Sequence, residues 1–246
     1  MKDNFSEQSA SYSRFRPGYP PELIAYLASL TKQQDCAWDC GTGNGQLAVA
    51  LAGHFQKVYA TDLSENQIKN AWRKENVIYK VENAEKSGFA DHQFDLITVA
   101  QAIHWFDFDA FYKEVNRTLK RGGILAVTGY ALLKLDVDTD RVIDKFYSDI
   151  IGKYWDRERR YIDELYQTIP FPFREERAPD FKSEYQWTLE QLTGYLETWS
   201  AVRHYIRENG KNPVSLVYNE LKESWGNRKE KTVTFPIMLR VGRSEV

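Results

Sequence analysis

The segment Ala37-Trp38-Asp39-Cys40-Gly41-Thr42-Gly43-Asn44-Gly45 restricts the folds open to this chain more than any other feature. A short apolar run enters alternating glycines, and the next apolar run, Val58-Tyr59-Ala60-Thr61, ends on Asp62. Glycines directly after a strand, with a carboxylate closing the following strand, are how an open α/β sheet holds an adenosine-type ligand. The spacing then separates ligands. A pyrophosphate rests on a helix N-terminus above G-x-G-x-x-G, whereas these glycines read G-x-G-x-G, with Gln46 at the last position of that fingerprint. Asp39, two residues before Gly41, repels a pyrophosphate and attracts an ammonium, directly or through water. A glycine turn alone also fits a plain strand-to-helix connection, so the surrounding pattern has to decide.

That pattern is repeated βα. Pro20-Pro21 opens a helix with Leu23, Ile24, Leu27 and Leu30 on one face, and a strand follows near 35–40. Leu47, Leu51 and Phe55 line the next helix, and Ser64-Glu65-Asn66-Gln67 reads as a capping box just after Asp62. Val77 to Val81 and the continuous apolar run Phe94 to Ala100 are strands, the second suited to burial on both faces. A helix carrying Phe108, Phe111, Tyr112, Val115 and Leu119 is expected to stop at Gly122-Gly123, before a fifth strand at Ile124 to Val127.

Beyond Gly129 the rhythm turns helical, with Val142, Ile143, Phe146 and Ile150, and a second capping box at Thr188 to Gln191. Pro170, Pro172 and Pro179 mark an aperiodic stretch between them. Val233 to Val241 reads as a strand that Pro236 places at an edge or a bulge. Aromatic residues reach 14% of the chain and crowd its second half. Both a ligand pocket and a small core filled by large side chains account for that.

Several function classes are disfavoured. A formal net charge of −2 over 246 residues offers no basic surface for phosphate backbones. The two cysteines, Cys36 and Cys40, lie in and around the first strand as small buried groups, and four scattered histidines lack metal-ligand spacing, so no metal is expected. No run approaches the roughly 18 apolar residues of a membrane span, and Met1-Lys2-Asp3-Asn4 lacks a signal-peptide core. The expectation is a cytoplasmic protein, monomeric or homodimeric.

Taken together these segments resemble the class I S-adenosylmethionine (SAM)-dependent methyltransferases, whose cofactor carries an ammonium and a sulfonium but no phosphate. The glycine segment is similar to motif I of that family, Asn83-Ala84-Glu85 to its adenine segment, and Phe94 to Phe106 to its motif IV. The stretches Phe5 to Pro20, Ala102-Ile103-His104-Trp105-Phe106, Leu196 to Val202 and Thr234-Phe235-Pro236 resemble the small-molecule branch grouped with trans-aconitate methyltransferases. The resemblance implies a Rossmann-like, mostly parallel seven-stranded sheet with one antiparallel strand. Thr232 to Val241 would supply one of its last two strands, and a segment near Glu184 to Trp187 the other. It implies a single domain: an arm over the site at 1–20, a SAM-binding core at 21–130, a mainly helical substrate-covering insertion at 131–205, and a helix and strand at 206–246 that complete the sheet.

On that resemblance Asp39, Gly41, Thr42, Gly43, Gly45, Asp62, Leu63, Asn83, Ala84, Ala100 and Gln101 surround the cofactor. The acceptor lies among Tyr12, Arg14, Arg16, Tyr19, Trp105, Trp199 and Arg203. Arginine forks suit a carboxylate of either the cofactor or the substrate. His104, after the fourth strand, is a candidate base for a hydroxyl or amine acceptor and otherwise an orienting group; a carboxylate acceptor needs no base. The mixed-sign run Arg157-Glu158-Arg159-Arg160 reads as a solvated face. The expected activity is methyl transfer to a small molecule, a carboxylate among the candidates. Its rivals are an RNA or DNA methyltransferase, disfavoured because Ala100-Gln101-Ala102-Ile103 departs from Asn/Asp-Pro-Pro-Tyr, a SAM-binding regulator without turnover, and a nicotinamide-dependent oxidoreductase.

Overall fold

A computed structural model describes residues 16–245. Helix α1 (Pro21–Ser29) starts on proline, whose missing N–H costs nothing in the first turn. Strand β1 (Cys36–Cys40) follows, then α2 (Gln46–Leu51), β2 (Lys57–Asp62), α3 (Glu65–Lys69) and β3 (Val77–Val81). Strand β4 (Phe94–Ala100) leads through a 3₁₀ turn at Ile103–Trp105 into α4 (Phe108–Thr118) and β5 (Leu119–Tyr130). Next come α5 (Val137–Lys145), a π turn at Phe146–Ile150, α6 (Arg159–Asp163), β6 (Arg174–Glu176) and β7 (Phe181–Trp187). Helices α7 (Leu189–Glu197), α8 (Ser200–Asn209) and α9 (Tyr218–Trp225) precede the last strand, β8 (Lys231–Arg243).

The strands form one sheet in the order β3-β2-β1-β4-β5-β8-β6, with β7 also paired to β8. Strands β1 to β5 are mutually parallel, and β8 runs antiparallel to β5. Seven positions are thus filled by eight strands, because β6 pairs with the end of β8 (Glu176 to Val241) while β7 pairs with its beginning (Phe181 to Ile237). The Glu184 to Trp187 strand is present and starts earlier, at Phe181. The 131–205 segment therefore delivers two strands as well as helices.

Two sequence expectations change. Strand β5 begins at Leu119, before the glycines; a register irregularity between Phe94 and Leu96, with Gly122 at φ +74, absorbs the extra residues. Strand β8 is interior rather than an edge, and Pro236 lies within it. The Pro236 carbonyl accepts the Ala131 N–H at 2.9 Å, just past the end of β5. In a strand the N and O of one residue face the same side, so the missing N–H falls where the β5 ladder has already stopped.

The central strands are buried on both faces, and successive residues pack on opposite ones. Trp38, Cys40, Ile97, Val99, Leu125 and Val127 pack on one face of the sheet, while Ala37, Leu96, Ile124 and Ala126 pack with α1 and α2 on the other. A third cluster joins β8 to the later helices around Phe235, whose ring meets Tyr130, Tyr185, Trp187 and Tyr195 at centroid distances from 5.3 to 6.1 Å. Most of the surplus aromatics are therefore core. Phe235→Ala is expected to cost about 3 to 5 kcal/mol, read as a lowered midpoint in urea unfolding; a loss below about 1 kcal/mol would show that this cluster re-collapses.

Candidate functional site

The site opens at the carboxyl ends of β1, β2, β3 and β4, where the strand order reverses about β1 and β4. A cavity of about 350 Å³ lies there, between the glycine loop, the ends of β2 and β3, the turn after β4, and the chain at 16–19. The loop can approach because its glycines sit in the left-handed region. Gly41 has φ +70, and a Cβ on it would lie 2.6 Å from Cβ of Ala102. Gly45 has φ +83, and a Cβ there would land on the Tyr79 hydroxyl.

Asp62 holds the loop from the other side. Its Oδ2 accepts the Gly43 N–H at 2.9 Å and its Oδ1 the Ser64 N–H at 2.8 Å, while the residue lines the cavity. Ser64 caps α3 by accepting the Gln67 N–H. The expected capping box is only half made, because the Gln67 side chain turns to the cavity instead. At the second box, Thr188 and Gln191 complete both bonds.

Of the residues expected at the cofactor, Gly41, Thr42, Gly43, Asp62, Leu63, Ala84, Ala100 and Gln101 line the cavity. Asp39, Gly45 and Asn83 do not. Asp39 is fully buried behind the loop, its oxygens accepting Thr42 Oγ1 at 2.5 Å and Thr98 Oγ1 at 2.9 Å. Burial raises its pKa to about 6 against those hydrogen bonds. Asn83 closes a local turn by accepting the Glu85 N–H, and Gly45 packs on Tyr79.

Among the lining residues not anticipated from sequence are three polar ones, Asn44, Gln67 and Glu82. Asn44 Nδ2, Gln67 Oε1 and Glu82 Oε2 are buried and have no hydrogen-bond partner among the described residues. Buried polar atoms are almost always paired, so three orphans around one cavity mark the outline of a polar ligand. Two acceptors and a carboxamide donor beside Asp62, with Leu63, Ala84 and Phe106 as apolar walls, fit an adenosine with its hydroxyl and amino donors. Glu82 immediately follows β3 as Asp62 ends β2, a signal that strand-end reasoning could have used.

Beyond Gln101 and Trp105 a second chamber of about 50 Å³ is lined by Arg16, Gln101, His104, Trp105, Trp155, Asp156, Arg159, Ile162, Trp199 and Ser200. Arg16, Gln101 and Trp105 belong to both spaces. Arg16 donates to Tyr130 Oη at 2.8 Å and to the Thr198 carbonyl at 3.3 Å, bridging the end of β5 to the turn before α8. Tyr19 lines the larger cavity, and Trp199, 2% exposed, walls the chamber. Arg203, one turn further along α8, lines neither. Tyr12 and Arg14 lie outside the described residues.

A polar relay backs the chamber. Gln101 donates to the Tyr130 carbonyl at 3.2 Å and accepts from Tyr166 Oη at 3.2 Å, and Tyr166 Oη lies 3.1 Å from His104 Nδ1. The single Tyr166 hydroxyl proton goes to Gln101, so His104 Nδ1 carries a hydrogen toward Tyr166 and Nε2 is the bare nitrogen. Burial, and then the charge of Arg159, lower the His104 pKa to about 3. The imidazole is neutral at pH 7. Gln101 and Tyr166 both have positive φ, 53 and 61, an uncommon backbone for such side chains, stabilised here by their mutual bond.

The described residues contain no group of three or more metal-ligand side chains, and no described helix is long and apolar enough to cross a membrane. Cys40 is buried with its thiol pKa raised by desolvation, and Cys36 is half-buried.

Comparison with known proteins agrees with this geometry. Residues 38–127 match the family described as a methyltransferase domain. The chain is 34% identical over 251 residues to a Dictyostelium discoideum protein named as a methyltransferase, covering 99% of this chain and 95% of that one. A Saccharomyces cerevisiae protein named as a SAM-dependent methyltransferase is 22% identical over 262 residues, covering 91% and 89%. A solved structure named as a type II methyltransferase, from Anaeromyxobacter dehalogenans, superposes with a TM-score of 0.87 at 38% identity, covering 93% of this chain and 98% of that one. The strand order, the cavity at the reversal of strand order and these relatives agree, and the chain belongs to the class I SAM-dependent methyltransferases.

Proposed function

We propose that this methyltransferase acts in the cytoplasm on a small-molecule acceptor that carries a carboxylate. The observation that carries this reading is the chamber of about 50 Å³ beside the cofactor cavity, walled by Trp105, Trp155 and Trp199 and charged by Arg16 and Arg159. Such a space suits the end of a small metabolite. The net charge of −2 and the Ala100-Gln101-Ala102-Ile103 sequence speak against a nucleic-acid substrate.

SAM, when bound, supplies an electrophilic methyl carbon and a neutral thioether leaving group. The protein's task is to hold, orient and dehydrate. Asp62, Glu82 and Gln67 would accept from the ribose and adenine, with Leu63 and Ala84 against the base. Thr42 and Gly43 would face the methionyl end, and buried Asp39 would act on it through the loop from behind Thr42. Arg16, Tyr19 and Trp105 border the passage toward the acceptor. His104, neutral with Nε2 bare, is an orienting hydrogen-bond acceptor; a pKa of about 3 makes it a poor proton acceptor at neutral pH. A carboxylate nucleophile, already ionised, requires no more.

Turnover is tested by supplying SAM and a set of small carboxylic acids and measuring S-adenosylhomocysteine; a SAM-binding regulator would release none. Asp62→Ala is expected to weaken S-adenosylhomocysteine binding by about 1.5 to 3 kcal/mol in calorimetric titration, and unchanged affinity would remove Asp62 from the cofactor.

Asp39 gives a pH signature. Its pKa of about 6 in the ligand-free protein leaves it partly protonated there. An ammonium held in front of the loop favours the carboxylate and lowers that pKa, so binding releases a proton near pH 6, and affinity rises as pH increases through 6. S-adenosylhomocysteine titrated in two buffers of different ionisation enthalpy should show up to about half a proton released near pH 6 and almost none near pH 8. In Asp39→Asn the difference should vanish; persistence there would assign the proton elsewhere.

A further inference from the structure

The run Arg157 to Arg160 reads from sequence as a solvated face, yet Arg159 turns inward. Its side chain is 17% exposed, and the guanidinium carbon lies 4.5 Å from the Trp155 ring centroid and 5.2 Å from that of Tyr147. Nε is committed to Tyr147 Oη at 2.7 Å and Asp163 Oδ1 at 3.3 Å. The two terminal nitrogens have no hydrogen bond to any described residue, and the residue lines the chamber behind Gln101 and Trp105. A guanidinium stacked on an aromatic ring, fixed through Nε and with its outer edge unused, presents the paired donors that match an oxyanion.

The surroundings favour a negative guest. Among the described residues, two arginines line the chamber against one carboxylate, Asp156. Asp163 is shared with Tyr147 and is 47% exposed, so its attraction to Arg159 is screened by solvent. The charge of Arg159 is felt inside, since it contributes to the lowered His104 pKa. A water needs roughly 10 to 15 Å³ of such space, so a chamber of about 50 Å³ takes a carboxylate and little else. The rest of the guest must extend back past Trp105 and Gln101 into the larger cavity.

We propose that Arg159 is the anion anchor of the acceptor site: with Arg16 it receives a carboxylate of the methyl acceptor in the aromatic chamber, and so selects acidic acceptors over their neutral analogues. This rests on the small-molecule reading above and adds the residue that enforces it.

Because Trp105, Trp155 and Trp199 line the chamber, tryptophan fluorescence reports its occupancy without turnover. The protein, saturated with S-adenosylhomocysteine, is titrated with succinate, phenylacetate and cinnamate, with phenylacetamide and cinnamamide as neutral counterparts, and with phenyl phosphate. The expected result is saturable quenching by at least one carboxylate but not by an amide. Its Kd should rise about 10-fold or more in Arg159→Gln, with an intermediate rise in Arg159→Lys, which keeps charge without the fork. Unchanged S-adenosylhomocysteine affinity in both variants shows that they are folded. The proposal is overturned if no carboxylate quenches, if the amides bind equally, if Arg159→Gln leaves the carboxylate Kd within about twofold, or if phenyl phosphate alone binds. Failure of the wild-type protein to bind S-adenosylhomocysteine would instead overturn the cofactor reading beneath it.

Discussion

The cofactor cavity depends on the approach of the loop after β1 to the turn after β4. A methyl group on Gly41 would sit 2.6 Å from Cβ of Ala102, so the two backbones meet only because one of them is glycine. That contact lies where the strand order reverses, the place at which an open α/β sheet leaves a crevice. Asp62 pins the far side of the loop through the Gly43 and Ser64 N–H groups, and Asp39 pins its base through Thr42. One carboxylate faces the crevice and the other is sealed behind it. The loop is thereby fixed by the protein's own carboxylates, and the orphaned atoms of Asn44, Gln67 and Glu82 belong to residues that line the space.

The acceptor side is built differently. Its walls come from the 3₁₀ turn after β4, the segment before α6 and the start of α8, which contribute Trp105, Trp155, Arg159, Trp199 and Ser200. Backbone ladders do not hold these segments in mutual register. Side chains do: Arg16 links Tyr130 to Thr198, and the Tyr130, Gln101, Tyr166 and His104 relay ties β5 and β4 to the turn after α6. Gln101 is the hinge between the two halves, since it lines both spaces and takes an uncommon backbone angle to do so. Partners that fix a side chain from behind are what make a reactive site geometrically definite.

The aromatic excess in the second half of the chain turns out to serve both roles that composition left open. Phe235, Trp187 and Tyr195 fill the core that joins β8 to the later helices, while Trp155 and Trp199 pass from that core to the chamber wall. A stacked ring beside a guanidinium supplies apolar area and a fixed direction for the charge.

The sequence by itself determined the elements whose signals are local. Glycine spacing, the terminal Asp62, the short apolar runs of the first five strands and the positions of both helix caps are consequences of backbone sterics and short-range hydrogen bonding, which neighbouring residues suffice to specify. Only the tertiary structure decided the rest. Pro236 reads as an edge signal, yet β8 is interior, because the missing donor faces a ladder that has ended. Asp39 belongs to the right motif but is sealed behind Thr42, and Gln67 abandons half of its capping box for the cavity. Arg159 sits in a run whose charges predict solvent, and it is drawn inward by Trp155 and Tyr147, contacts set by packing rather than by spacing along the chain. Which face a side chain shows, and which distant residues it meets, are properties of how the elements pack, and a local pattern carries no record of them.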